Sequence, residues 1–336
     1  MTRSKVLISK QMYDRYEKVR KILEPVAEVE FIATGFGPGG WDIAKLKEQL
    51  AQAEGIFDDE RVINEALLRS APKLKVVANY GVGYDSYDVP LFTKYQVYLT
   101  HTPGVLSDAA ADLTVLLMLA VNRKIIQADK YVRESWWKSG ADGVGYANDM
   151  KGKTLGILGL GRIGFETAKR CVKGFAMNVI YYDIYQNKRA EEELGAKRKT
   201  LNEVLKESDY VVIHLNLNPQ TRKMIGEKQL RMMKKTAYLI NAARGAIVDQ
   251  AALAKILSEG VIAGAGLDVF DPEPCPADDP ILTAPNTVLA PHMASATEEA
   301  REGMAVCNAE NVIAVLKGQI PPPQVVPEQR GMIFKK

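Results

Sequence analysis

Residues 154–164 read TLGILGLGRIG, and Asp183 ends the run MNVIYYD nineteen residues after the last of those glycines. TLGIL is a short apolar strand. Gly159 allows a tight turn out of it, Gly161 lets backbone N–H groups approach a pyrophosphate, and Gly164 lets the helix that begins near Ile163 pack closely on the sheet. The start of that helix presents unpaired N–H groups and the positive end of the helix dipole to the phosphates. An acid at the end of the second strand stands where it can hydrogen-bond an adenosine ribose. A lone glycine pattern of this kind is weak. Here the strand, the helix (FETAKRCVKGF) and the terminal acid are all in place, so the stretch predicts a dinucleotide-binding βαβ unit.

Outward from this unit, strand-like and helix-like runs alternate. KVLIS, VEFIAT, GIFD, LKVVANYG and VYLTHTP precede it, separated by helical segments such as MYDRYEKVRKILEP and DIAKLKEQLAQ. YVVIHL, AYLINA, GAGLDV and TVLAPH follow it. This order predicts an α/β fold of parallel sheets with helices on both faces. At 336 residues the chain exceeds the size at which one core stops growing, so two domains are expected. The dinucleotide unit reads as an insertion, residues 102–296, with crossings near Thr102–Pro103 and Ser295. Residues 1–101 and 297–336 then form the other domain, and an interdomain cleft is expected at the hinge. A long helical region is predicted over about 105–136. GFGPGG at 35–40 reads as a loop rather than a phosphate cradle, because no Lys-Ser/Thr follows.

The composition bounds the function. The net charge is +3, from 44 basic and 41 acidic residues, with no Lys/Arg cluster, so nucleic acid is not an expected partner. Cys171, Cys275 and Cys307 are far apart and lack metal-ligand spacing, which suits free thiols in a reducing, cytoplasmic compartment. MTRSKVLIS reads as a first strand, not a signal peptide. The most apolar run, LTVLLMLAV at 113–121, is too short to span a bilayer, so no membrane association is expected.

Three further residues share one location. Arg244 follows the strand AYLINA, Glu273 follows GAGLDV, and His292 follows TVLA. Each lies at the carboxyl end of a predicted parallel strand, the edge at which open α/β sheets bind ligands. An arginine offers a two-pronged fork for a carboxylate. A histidine exchanges protons near neutral pH, and a neighbouring glutamate would fix its tautomer and favour its protonated form. Beside a nicotinamide this set can interconvert a 2-keto acid and a 2-hydroxy acid. Taken singly, each of the three reads more readily as structural; their shared location favours function.

The segments NYGVGYDSYDV, HTPGVLSDAAADL, GKTLGILGLGRIG, LINAARGAIVDQAAL, GAGLDVFDPEP and APHMASAT, in this order, resemble the D-isomer-specific 2-hydroxyacid dehydrogenases over nearly the whole chain. VLSDAAADL and PHMASAT look most like the glyoxylate and hydroxypyruvate reductases (glycerate dehydrogenases). The resemblance implies a flavodoxin-like substrate domain and an inserted Rossmann NAD-binding domain. It implies that Arg244 orients substrate, Glu273 pairs with the histidine and His292 is the acid/base. Backbone N–H groups around Val82 and Gly83 would receive the substrate carboxylate. Arg162 and Ile163 would lie at the pyrophosphate, Ala242 near the nicotinamide end and Asp268 on the carboxamide, and the subunits would form a homodimer through the region of the apolar helix and Trp136-Trp137. The segment after His292 lacks the aromatic pair of fermentative D-lactate dehydrogenases, Glu273 is not the Gln of formate dehydrogenases, and the chain ends too early for the extra domain of many phosphoglycerate dehydrogenases. Departures are Asn216 and Asn218, where relatives often carry Pro and Thr in the cofactor-ribose loop that retains His214. His101 stands where Asn is frequent, and Met293-Ala294 where Ile-Gly is frequent.

Asp183 predicts NADH in preference to NADPH, since a 2′-phosphate would meet like charge. Lys188 and Arg189 could reach such a phosphate only if their loop folded back. Two alternatives stay open: the same chemistry on a larger branched or aromatic 2-keto acid, and a non-enzymatic NAD-sensing protein resembling the family's corepressors.

Overall fold

A computed structural model describes residues 3–32, 43–58, 63–139, 141–319 and 322–334; the 35–40 loop lies outside them. The chain divides into two compact units, Met1–Leu106 with Thr297–Lys336, and Ser107–Ala296. Backbone bonds from His101 N to Gln324 O and from Thr102 N to Gly81 O tie residues 101–102 into the first unit. The first crossing therefore falls at Leu106–Ser107, a few residues beyond the sequence boundary.

In the first unit, β1 (Ser4–Ser9), β2 (Ala27–Ile32), β3 (Ala53–Asp58), β4 (Val76–Asn79) and β5 (Tyr98–Thr100) pair in parallel in the order β2-β1-β3-β4-β5, the flavodoxin-like order. Val6, Leu7 and Ile8 are wholly buried and β4 is buried at every position, as expected for strands covered on both faces. The helix predicted over 12–25 is two helices, Lys10–Arg15 and Glu17–Leu23, broken at Tyr16 with φ −116° and ψ 99°. The break buries the Tyr16 ring. The closing helix Glu298–Leu316 packs beneath β3 and β4, where a Cβ on Gly55 would stand 3.0 Å from Val312 Cγ1. Behind it, Val325 bridges Thr100, and the Gln329 side chain accepts from Leu99 N and donates to Val97 O.

In the second unit, β6 (Thr154–Leu158), β7 (Asn178–Tyr182), β8 (Lys197–Arg198), β9 (Tyr210–Ile213), β10 (Tyr238–Asn241), β11 (Gly264–Leu267) and β12 (Thr287–Leu289) form one parallel sheet. The order β8-β7-β6-β9-β10-β11, with β12 at the edge beyond β11, is the doubly wound dinucleotide arrangement. Strand order reverses at β6, so the glycine-rich loop after β6 lies at the switch point. The helical region predicted over 105–136 divides into Ser107–Asn122 and Ile125–Glu134, parted by Lys124 at φ 50°. The first of these lies on β11 because Gly264 and Gly266 leave it room: a Cβ on either would stand 3.0 Å from Val121 or Leu117.

Candidate active site

The glycine-rich loop has the conformations that its spacing requires. Gly159 has φ +93°, and a Cβ there would lie 2.7 Å from the His214 carbonyl. A Cβ on Gly164 would collide with Gly159 O at 2.4 Å. A Cβ on Gly161 would enter open space within 4 Å of nothing. Gly161 is also the N-cap of the helix Arg162–Phe175, and no side chain caps it. Its first N–H groups are donors awaiting an acceptor, so the residues fit a pyrophosphate at the point where a Cβ would intrude. Asp183 follows β7 and is braced: Leu160 N–H donates to Oδ2 at 2.8 Å and Tyr185 N–H to Oδ1 at 3.0 Å. Arg189 turns away, over the Phe165 ring at 4.1 Å and onto Glu193 at 2.7 Å. A basic group unforeseen in the sequence, Arg198 on the edge strand β8, donates to the carbonyls of Asp183 and Ile184 at 2.9 Å.

His214, after β9, stands 3.0 Å from Thr167 Oγ1 through Nε2. The Thr167 hydroxyl donates its one proton to Ile163 O, so the imidazole is the donor and carries hydrogen on Nε2. Burial pushes the His214 pKa down to about 4, so the ring is neutral at ordinary pH. Asn216 and Asn218 build a local turn. Asn218 Oδ1 accepts from Gln220 N and Thr221 N, and Thr221 Oγ1 donates to Asn216 O at 2.7 Å.

Arg244, Glu273 and His292 follow β10, β11 and β12, which are neighbours in the sheet. Asn241, the last residue of β10, shapes the first loop: its Nδ2 donates to Arg244 O and its Oδ1 accepts from Ala243 N, with Ala242 between. Gly245 lies so close to the next loop that a Cβ would stand 1.9 Å from Phe270 O. That contact sets the Arg244 loop against the Glu273 loop. His292 Nδ1 lies 2.7 Å from Glu273 Oε2, and Glu273 Oε1 accepts from Phe270 N at 2.8 Å. A carboxylate only accepts, so Nδ1 carries the hydrogen that faces Glu273. The His292 side chain is 41% exposed and therefore within a ligand's reach. Burial pushes the Glu273 carboxyl up, but its bonds from His292 and Phe270 and the charges of His292 and Arg244 outweigh this and hold it below the usual range. A pocket of about 420 Å³, lined in part by Phe270, Cys275, Leu282 and Leu289, abuts the pair.

His292 has φ +51°, a left-handed backbone unusual for a residue other than glycine. Asp268 holds it there. His292 N donates to Asp268 O, and the two Asp268 carboxylate oxygens accept from Met293 N at 2.8 Å and Ala294 N at 2.9 Å. Burial pushes the Asp268 carboxyl up against the pull of those two bonds. Val82 and Gly83 lie in the first unit, in the loop after β4, and both are half-exposed. The sequence reading missed Asn241, Gly245 and Thr167 as supports of the site. An Asn at a strand end before a turn is the one signal that marks Asn241.

Residues 115–294 match the family model described as D-isomer specific 2-hydroxyacid dehydrogenase, NAD binding domain. The glyoxylate reductase of Thermococcus litoralis is 47% identical over 95% of each chain. The chain belongs to the D-isomer-specific 2-hydroxyacid dehydrogenase family. It is an oxidoreductase with an NAD-binding domain. The glyoxylate reductase of Korarchaeum cryptofilum is 51% identical over 77% of this chain and 78% of its own. The structure of an NADPH-dependent glyoxylate/hydroxypyruvate reductase from Sinorhizobium meliloti, in complex with NADP and malonate, matches with a TM-score of 0.85 at 30% identity, over 100% of this chain and 99% of that one. The two parallel sheets are those of this α/β family.

Proposed function

We propose that this 2-hydroxyacid dehydrogenase reduces a small 2-keto acid, glyoxylate or hydroxypyruvate, to the D-2-hydroxy acid, with NADH preferred over NADPH. The observation that carries the reading is the His292–Glu273 pair, 2.7 Å apart at the carboxyl edge of the same sheet whose switch point bears the glycine-rich loop. The nicotinamide, when bound, supplies the hydride. Gly159, Gly161, Arg162, Ile163 and Gly164 would hold the pyrophosphate, Asp183 the adenosine ribose, and His214 the loop beside the cofactor ribose. Ala242 would lie near the nicotinamide and Asp268 near its carboxamide. Arg244 orients the substrate carboxylate and polarises the keto oxygen, and the N–H groups of Val82 and Gly83 receive the carboxylate. Protonated His292 delivers its Nε2 proton to the developing alkoxide, and Glu273 stabilises the imidazolium until then. The names of the curated relatives support a small substrate. The Thermococcus litoralis glyoxylate reductase matches over 95% of this chain, which favours catalysis over a purely NAD-sensing role.

The braced Asp183 carboxylate and the diversion of Arg189 to Glu193 support NADH. The cysteines are free thiols, and among the described residues no helix is long and apolar enough to cross a membrane, which supports the cytoplasmic assignment. We also propose a homodimer. The test is an assay of reduced-cofactor oxidation with glyoxylate, hydroxypyruvate, pyruvate and larger branched or aromatic 2-keto acids, comparing kcat/KM for NADH and NADPH. The highest kcat/KM is expected for glyoxylate or hydroxypyruvate with NADH. A clear NADPH preference would overturn the Asp183 argument, and turnover confined to large substrates would overturn the substrate class.

A further inference from the structure

Asn79, the last residue of β4, and His101, the first residue after β5, are both buried, and together they grip the carbonyls of the loop that follows β4. Asn79 Nδ2 donates to Gly81 O at 3.3 Å and to Gly83 O at 2.8 Å. His101 Nδ1 lies 2.9 Å from Val82 O, and Thr102 N–H also donates to Gly81 O at 3.0 Å. A carbonyl oxygen only accepts, so His101 carries a hydrogen on Nδ1. The Asn79 amide is held from its other end as well, since the Tyr87 hydroxyl reaches Oδ1 at 3.2 Å and Asp58 Oδ2 at 2.6 Å. The Tyr84 ring meets the His101 ring edge-on at 5.3 Å.

In a trans peptide the carbonyl of one residue and the N–H of the next point in opposite directions. Drawing the carbonyls of Gly81, Val82 and Gly83 toward Asn79 and His101 therefore turns the N–H groups of Val82, Gly83 and Tyr84 the other way. Among the described residues none of these three N–H groups has a protein acceptor, and all three residues are half-exposed. Successive outward N–H groups in a loop form an anion receptor.

We propose that Asn79 and His101 are positioning residues that aim the 82–84 amides at the carboxylate of the 2-keto acid. The proposal rests on the reading that the Val82 and Gly83 amides receive substrate, and it adds the Tyr84 amide and what orients all three. Neither side chain touches the reacting atoms; each acts through a backbone carbonyl.

Two variants of His101 separate positioning from simple packing. Asn places its amide nitrogen where Nδ1 stands and can still donate to Val82 O; Gln places its nitrogen where Nε2 stands and cannot. The full-length chain is assayed with glyoxylate and NADH, and oxalate binding to the NADH-loaded protein is measured by calorimetry. His101→Gln is expected to raise the glyoxylate KM and the oxalate Kd about tenfold, the scale of one hydrogen bond to a charged group, with kcat and the NADH Kd little changed. His101→Asn is expected to restore both to near the wild-type values. Asn79→Ala is expected to show the same KM-against-kcat split, and serves if His101→Gln does not fold. A His101→Gln variant indistinguishable from wild type would overturn the proposal. So would variants that alter kcat and the NADH Kd as much as KM. A wild-type chain that turned over no 2-keto acid and bound no oxalate would overturn the functional reading itself, and this proposal with it.

Discussion

His292 is held by Glu273 at its ring and by Asp268 at its backbone, and its own role can be tested apart from these supports. If Nε2 carries the transferred proton, His292→Ala should bind NADH as wild type does and lose about 10²–10⁴-fold in kcat. Fluorescence titration beside steady-state assay checks this; wild-type turnover would remove His292 from the mechanism. Glu273 sits below the usual carboxylate range, so it is ionised across the working pH and favours the imidazolium. Glu273→Gln keeps the shape and removes the charge, so His292 should lose its proton at lower pH. The basic limb of kcat/KM for keto-acid reduction should then shift downward, and an unmoved limb would mean that the pair is only structural. His214 follows the opposite logic. Its folded pKa of about 4 lies below the ordinary 6.5, so on acidification the unfolded chain takes up the proton first. Its contribution is intact above pH 6.5 and is lost as the pH falls toward 4, at most about 3 kcal/mol. His214→Gln retains a donor for Thr167, so its unfolding free energy, followed by denaturant titration, should fall less steeply than wild type across that window. Parallel curves would show that the ring is not held neutral.

At the scale of elements, loops of the second unit depend on glycines for different reasons, and substitution should separate them. At Gly161 a Cβ meets nothing within 4 Å, so Gly161→Ala should fold and melt as wild type. It should weaken NADH about tenfold or more by filling the space at the helix N-terminus. Gly245→Ala must push the Arg244 loop off Phe270, so it should lose both thermal stability and turnover. A Gly161→Ala variant with unchanged NADH affinity would place the pyrophosphate elsewhere. The same contrast explains what could be read in advance. The strand–glycine–helix–acid order was legible because each part has a fixed local spacing. The trio could be placed at strand ends because parallel strands deliver their following loops to one edge. The contact of Gly245 with Phe270 and the Asp268 bonds to residues 293–294 join segments distant along the chain, and no local spacing encodes such pairings. The break at Tyr16 was hidden for a similar reason: helical periodicity continues through it, and burial of the ring decides against it.

At the scale of the whole molecule, the apolar run 113–121 divides by residue between burial and exposure. Leu117, Met118 and Val121 are buried, and Gly266 and Gly264 of the seven-stranded sheet make room for Leu117 and Val121. Leu116 remains 57% exposed, and the next two helices expose Ile125, Ile126, Val132, Trp136 and Trp137 to half or more of their surface. Scattered apolar residues are ordinary on a protein surface, but two tryptophans and three β-branched residues on successive short helices are a costly face to leave in water. A second copy of this face would cover it with the closed symmetry usual for such oligomers. Sedimentation equilibrium of the wild-type chain should therefore give twice the 37.1 kDa chain mass. Ile126→Glu combined with Trp137→Glu changes exposed positions only, so the fold should persist while burial of unpaired charge opposes assembly, and the species should fall to the single-chain mass. A wild-type chain already at that mass would remove the dimer, and a double variant that stayed dimeric would move the interface away from these helices.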